Sequence, residues 1–351
     1  MYDTPADARA QLAQQDFTRP QIEMIVGALV PTLTFRPEAG GAALRIGATR
    51  IGGTPDLPPG LAWPVRAAPP DAEAIAGRGN VEAAEGMRRH FRAALPYAFF
   101  AQVDLAEARG QGGPAADLPE DGRLLFFYDL IAGPWDTGGG AVRVIWDPSP
   151  RAALAAQAVP APLAAAAAAH RAEIAQVNAA FKLPPPKPEA ATPYGAPGRP
   201  MRLAARLRPP NPHSLEWAGS AKLRAAYAEE EADDFREAYD DLFAHAFDPH
   251  YGAANSGRRN QLLGSPLPEQ GDPRYEAEVA SRFGVQHLDA ETRRARWPEI
   301  EAGARDWRLL LQIDIADFMQ AREEGTVYVL IRAEDLAARR FDRAAAVYQQ
   351  T

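Results

Sequence analysis

Two short strings in the sequence pair an amide with a carboxylate: Gln102 with Asp104, and Gln312 with Asp314. Successive side chains on a β-strand point to opposite faces, so residues two apart share a face. If the two pairs converge, their carboxylates could exchange protons with a substrate or hold a cation, and the amides could fix a ligand by hydrogen bonds. A structural role competes with this. In Asp104-Leu105-Ala106-Glu107 and Asp314-Ile315-Ala316-Asp317 each Asp stands where a strand gives way to a helix, and Asp is a favoured N-cap. A buried Gln can likewise satisfy the backbone of neighbouring loops.

Other candidates carry the same two readings. Arg50, Arg258 and Arg259 flank two glycine-containing blocks and could recognise an anion or simply lie on the surface. Trp63, before Pro64, could stack a ligand or cap the core. The Gly52-Gly53-Thr54-Pro55 turn is not a phosphate loop, because no Lys-Ser or Lys-Thr follows and more prolines come next. Its glycines suit positive φ or close backbone packing.

Several chemistries drop out. With no Cys there are no disulfides, Cys-ligated zinc sites, iron–sulfur clusters or thiol nucleophiles. The six histidines show no i, i+4 pair; His245 and His250, with Asp248 between them, form the closest set and read as a surface cluster rather than a metal site. Gly-x-Ser-x-Gly does not occur. We expect neither metal nor cofactor. A net charge of −8 and a pI near 5.4 argue against nucleic-acid binding. No basic-then-apolar leader and no long apolar run is found, so the cytoplasm is the expected location and no membrane partner is expected.

The elements that must position these residues follow from periodicity. Thr18 and Gln21 make a capping-box pattern, with Ile22, Ile25, Val26 and Leu29 at helical spacing. Strands are expected at 32–35, 43–46, 95–105, 122–130 and 142–146, with a short helix near 81–94. The Ala-rich stretch 152–169 predicts helix and the Pro-rich stretch 184–212 a linker. An acidic helix is expected over 219–247, its Glu229 to Asp234 run a solvated face.

The chain also matches itself at an offset near 210. Gly53-Thr54-Pro55 aligns with Gly264-Ser265-Pro266, Phe99 to Leu105 with Leu309 to Ile315, and Gly122 to Phe127 with Gly325 to Leu330. This predicts an α+β fold: two copies of a mixed, largely antiparallel sheet unit related by a pseudo-twofold axis, with helical and Pro-rich insertions. The expected division is a first repeat with an N-terminal helix (1–150), an insertion (151–250) and a second repeat (251–351), the repeats packing as one body.

Arg50 to Pro64, Ala101 to Leu105, Leu118 to Gly122, Leu262 to Pro266 with Gln270, and Leu309 to Ile315 running to Gly325 together resemble the YwqG family. That resemblance implies a bacterial cytoplasmic protein with a duplicated α+β fold and carries over no catalytic residue. Asn260 stands where the resemblance leads us to expect His. The expected function is a non-catalytic module binding a small ligand or a protein, with a groove between the repeats as the default site. The alternative is a hydrolase or transferase built on the paired Asp and Gln residues.

Overall fold

A computed structural model of the protein describes residues 1–38, 43–229, 233–247, 257–321 and 324–350. Its strands are β1 (Val30–Pro37), β2 (Arg50–Ile51), β3 (Asp56–Leu57), β4 (Ala98–Asp104), β5 (Arg123–Tyr128) and β6 (Val142–Asp147). They continue with β7 (Ala155–Ala156), β8 (Arg199–Arg208), β9 (Gln261–Leu262), β10 (Trp307–Asp314), β11 (Thr326–Arg332) and β12 (Ala345–Gln349). Ten of them form one sheet in the order β12-β11-β10-β9-β1-β8-β2-β4-β5-β6, and β3 pairs separately with β7. Every strand pairing is antiparallel. The two edges almost meet, because Gly138 and Ala346 exchange backbone hydrogen bonds of 2.9 Å in each direction. The sheet is thus nearly closed.

β4, β5, β10 and β11 carry apolar residues on both faces because both faces are covered. Inward residues such as Ala101, Val103, Leu124, Leu311 and Ile313 share one large core. On the other face, Phe99, Leu125 and Phe127 pack under Leu57 and Trp63, while Leu309, Tyr328 and Val347 pack under Ala277. Register shifts between Phe99 and Ala101 and between Leu309 and Leu311 turn two successive residues inward in β4 and in β10.

The helices are α1 (Pro5–Leu12), α2 (Arg19–Gly27), α3 (Ala72–Ala76), α4 (Val81–Ala93), α5 (Leu105–Gly110) and α6 (Ala161–Ala180). They continue with α7 (Leu215–Gly219), α8 (Ala221–Ala228), α9 (Asp233–Phe247), α10 (Pro273–Phe283), α11 (Ala290–Ala304), α12 (Ile315–Met319) and α13 (Ala333–Ala337). The expected capping box of α2 is present, with the Thr18 backbone N–H donating to Gln21 Oε1 at 2.7 Å. Phe17, Ile22, Ile25 and Val26 then pack against Trp217, Leu223, Phe235 and Tyr239. No helix among the described residues is long and apolar enough to cross a membrane.

Three expectations change. The Pro-rich stretch is not linker throughout: β8 lies inside it, paired with all of β1 near the centre of the sheet. The prolines nearest to β8, Pro200 and Pro209, fall at the strand's start and just past its end, where no ladder donor is required. The acidic segment makes two helices, α8 and α9, rather than one, since Glu229 takes an extended conformation after α8; Glu230 and Glu231 of its acidic run lie outside the described residues. Residues 43–46 form no strand.

Candidate functional site

Gln102 and Gln312 are buried and hold the two turns of the sheet in the same way. Gln102 Oε1 accepts from the Asp56 N–H at 3.0 Å, and its Nε2 donates to the Ala48 carbonyl at 3.0 Å. Gln312 Oε1 accepts from the Leu267 N–H at 2.9 Å, and its Nε2 donates to the Arg259 carbonyl at 2.9 Å. The turns reverse through consecutive left-handed residues, Gly52 and Gly53 in one and Leu263 and Gly264 in the other. A Cβ on Gly52 would lie 2.5 Å from the Pro197 carbonyl oxygen, and one on Gly264 would lie 2.5 Å from that of Pro31, so close backbone approach requires glycine.

Asp104 and Asp314 each cap the helix that follows. Asp104 Oδ1 accepts from the Ala106 N–H at 3.1 Å, and its other oxygen meets Arg151 at 2.6 Å. Asp314 Oδ1 accepts from the Ala316 N–H at 2.9 Å, and burial pushes this carboxyl above its usual range. Asn260 accepts from the Asp314 N–H at 2.8 Å and donates to Asp317 at 2.6 Å, so it fastens β10 and α12 to the second turn. Because Ala101, Val103, Leu311 and Ile313 take the inner face, Gln102, Asp104, Gln312 and Asp314 project from the outer one. Among the described residues no hydrogen bond or ion pair joins one pair to the other.

The remaining candidates are also placed. Arg50 is buried against Asp56 and the carbonyls of Thr54 and Arg45; burial lowers its affinity for the proton, and Asp56 acts the other way. Trp63 Nε1 donates to the Tyr97 carbonyl at 2.8 Å, while its ring meets Phe99 and Phe127 edge-on. Arg259 pairs with Glu269 at 2.8 Å, and Arg258 reaches the Ala246 carbonyl at 3.5 Å. The side chains of His245, Asp248 and His250 lie outside the described residues.

A different place gathers groups from both halves of the chain. At the seam where the sheet edges meet, a cleft of about 570 Å³ is lined by Arg78 and Trp135 from one side and by Gln270, Glu276, Tyr348 and Gln349 from the other. Arg78 spans it, donating to the Trp135 carbonyl at 2.6 Å and to Gln286 Oε1 at 3.1 Å. Burial pushes the Glu276 carboxyl up, partly opposed by the hydrogen bond from Gln349. Gln349 is itself fixed, accepting from the Glu269 N–H at 3.1 Å and donating to the Gly271 carbonyl at 2.7 Å. The cleft therefore offers two aromatic rings, several amides and a carboxyl of raised proton affinity.

A family model described as a domain of unknown function (DUF1963) matches residues 49–349. The chain belongs to the DUF1963 family. No curated protein matches it. In this DUF1963 protein the matched span contains both Gln-x-Asp pairs, Arg50, Trp63 and the cleft residues Arg78, Trp135, Glu276, Tyr348 and Gln349. Sequence reasoning missed Trp135, Glu276 and Tyr348. A Trp inside the Gly133-Pro134-Trp135 turn was a usable signal, since a large ring in a Gly/Pro turn has few neighbours of its own. Glu276 had none, because a helical Glu looks the same in sequence whether exposed or covered.

Proposed function

We propose that this DUF1963 protein is a non-catalytic binding module that holds a small polar ligand in the seam cleft. One observation carries the reading: around the half-buried Glu276, groups from the two halves of the chain face one open cavity. Aromatic faces beside amides suit a ligand rich in hydrogen-bonding groups. The anchored Gln349 and the bridging Arg78 hold the walls before any ligand arrives, which lowers the ordering cost of binding.

The same reading takes the molecule as two YwqG-like sheet units. The strand order supports it, since the series outward from β8 (β2, β4, β5, β6) parallels the series outward from β1 (β9, β10, β11, β12). The matched bonds of Gln102 and Gln312 and the paired left-handed turns support it as well. The DUF1963 match is compatible with the resemblance. On this reading the cleft is the groove between the units. A hydrolase or transferase using Asp104 and Asp314 gains nothing from two carboxylates that each cap a separate helix on the outer face.

Thermal melting of the wild-type protein and of a folded Trp135→Ala variant, against oligosaccharides, amino acids and short peptides, tests the proposal. A compound that raises the wild-type midpoint and leaves that of the variant unmoved supports it. A compound that raises both midpoints equally binds elsewhere and does not count for the cleft; a panel in which no compound separates the two proteins sinks the proposal.

A further inference from the structure

We propose a second site, independent of the seam cleft: a hollow beneath α6 that takes an aromatic α-amino acid. The hollow measures about 280 Å³. That is below the roughly 300–1,000 Å³ of sites for drug-sized ligands, and it fits a single-ring molecule.

The space exists because of what α6 lacks. Leu163, Ala164, Ala167 and Arg171 line the hollow and fall on one side of the helix, and two of the four are methyl-sized. The opposite wall is Trp63 and Phe99, whose rings meet edge-on with centroids 6.3 Å apart. The Trp63 N–H is already donated to the Tyr97 carbonyl, so the indole offers the hollow its ring and not its donor. An aromatic ring packs there without leaving a polar atom unsatisfied.

The polar groups at the rim define the rest of the ligand. Arg171 donates to the Ala190 carbonyl at 3.3 Å, which brings it beside Glu189. Among the described residues neither Arg171 nor Glu189 forms an ion pair, with the other or with any group. Tyr194 adds a hydroxyl that has no partner among the described residues, and burial keeps it protonated and able to donate. A zwitterion answers all three groups, its carboxylate meeting Arg171 and Tyr194 and its ammonium meeting Glu189.

Calorimetry of the full chain with L-phenylalanine, phenylacetate and phenethylamine is the test. L-Phenylalanine should bind at least tenfold more tightly than either analogue. Arg171→Met should weaken it tenfold or more, and Trp135→Ala in the seam cleft should leave it unchanged. Ala164→Leu, checked for native circular dichroism, should abolish it by filling the hollow. Equal binding of the three compounds, no binding of L-phenylalanine, or full binding to a folded Ala164→Leu variant would each overturn the assignment.

Discussion

Gln349 Nε2 donates to Glu276 Oε1 at 2.5 Å, joining the last strand of the sheet to α10 at the wall of the seam cleft. The carboxyl is held there partly out of water, and burial outweighs the hydrogen bond, so its folded pKa lies above the usual value for Glu.

A raised carboxyl favours the fold while it is protonated, and that contribution is lost as the pH climbs through the folded pKa. Glu276→Gln keeps an acceptor for Gln349 and removes the charge. The variant should be more stable than wild type at pH 8 and equal to it near pH 4, read from denaturant midpoints across that range. A constant difference at all pH values would show that Glu276 does not titrate as its burial requires.

Gln102→Leu leaves the Asp56 N–H and the Ala48 carbonyl without their side-chain partner, and Gln312→Leu does the same to Leu267 and Arg259. Each buried backbone group left unpaired costs about 1–3 kcal/mol. Each variant should lose roughly 2–4 kcal/mol by urea unfolding. A loss well below that would mean that water reaches the turns.

Asp314→Asn preserves an acceptor for the Ala316 N–H and removes a charge that burial disfavours. It should leave the melting temperature near wild type at neutral pH, whereas Asp314→Ala should cost about 1 kcal/mol or more. If Asn proved as damaging as Ala, the negative charge itself would be needed, and a cation or cationic ligand would have to be sought there.

Burial alone would raise Glu216, but Arg274 grips it with bonds of 2.8 and 2.6 Å and, with Ser265, holds its carboxyl at about 2. The stability this confers is present above the ordinary Glu value of 4.5 and is lost as the pH falls toward about 2. Wild type should therefore exceed Glu216→Gln most at pH 6, by at most about 3 kcal/mol from titration alone, with the gap narrowing toward pH 2.5. Chemical denaturation at the two pH values decides it; a gap that does not narrow would assign the pair a steric role only.

What the sequence determined by itself was whatever depends on a few consecutive residues. The Thr18–Gln21 cap of α2, the Asp104 and Asp314 caps and the strands carrying both Gln-x-Asp pairs are set by contacts within a turn or by side-chain alternation. The absence of Cys likewise removed whole chemistries before any fold was known. Tertiary structure decided the rest. β8 is a strand because β1 and β2 pair with it on either side, which outweighs the prolines that made its surroundings read as linker. The seam cleft exists because strand edges far apart in the chain meet at Gly138 and Ala346, and that closure brings Trp135 to Glu276 and Tyr348. The environment of Glu276 comes from that packing: desolvation depends on which atoms exclude water, and those atoms belong to segments that no local pattern connects.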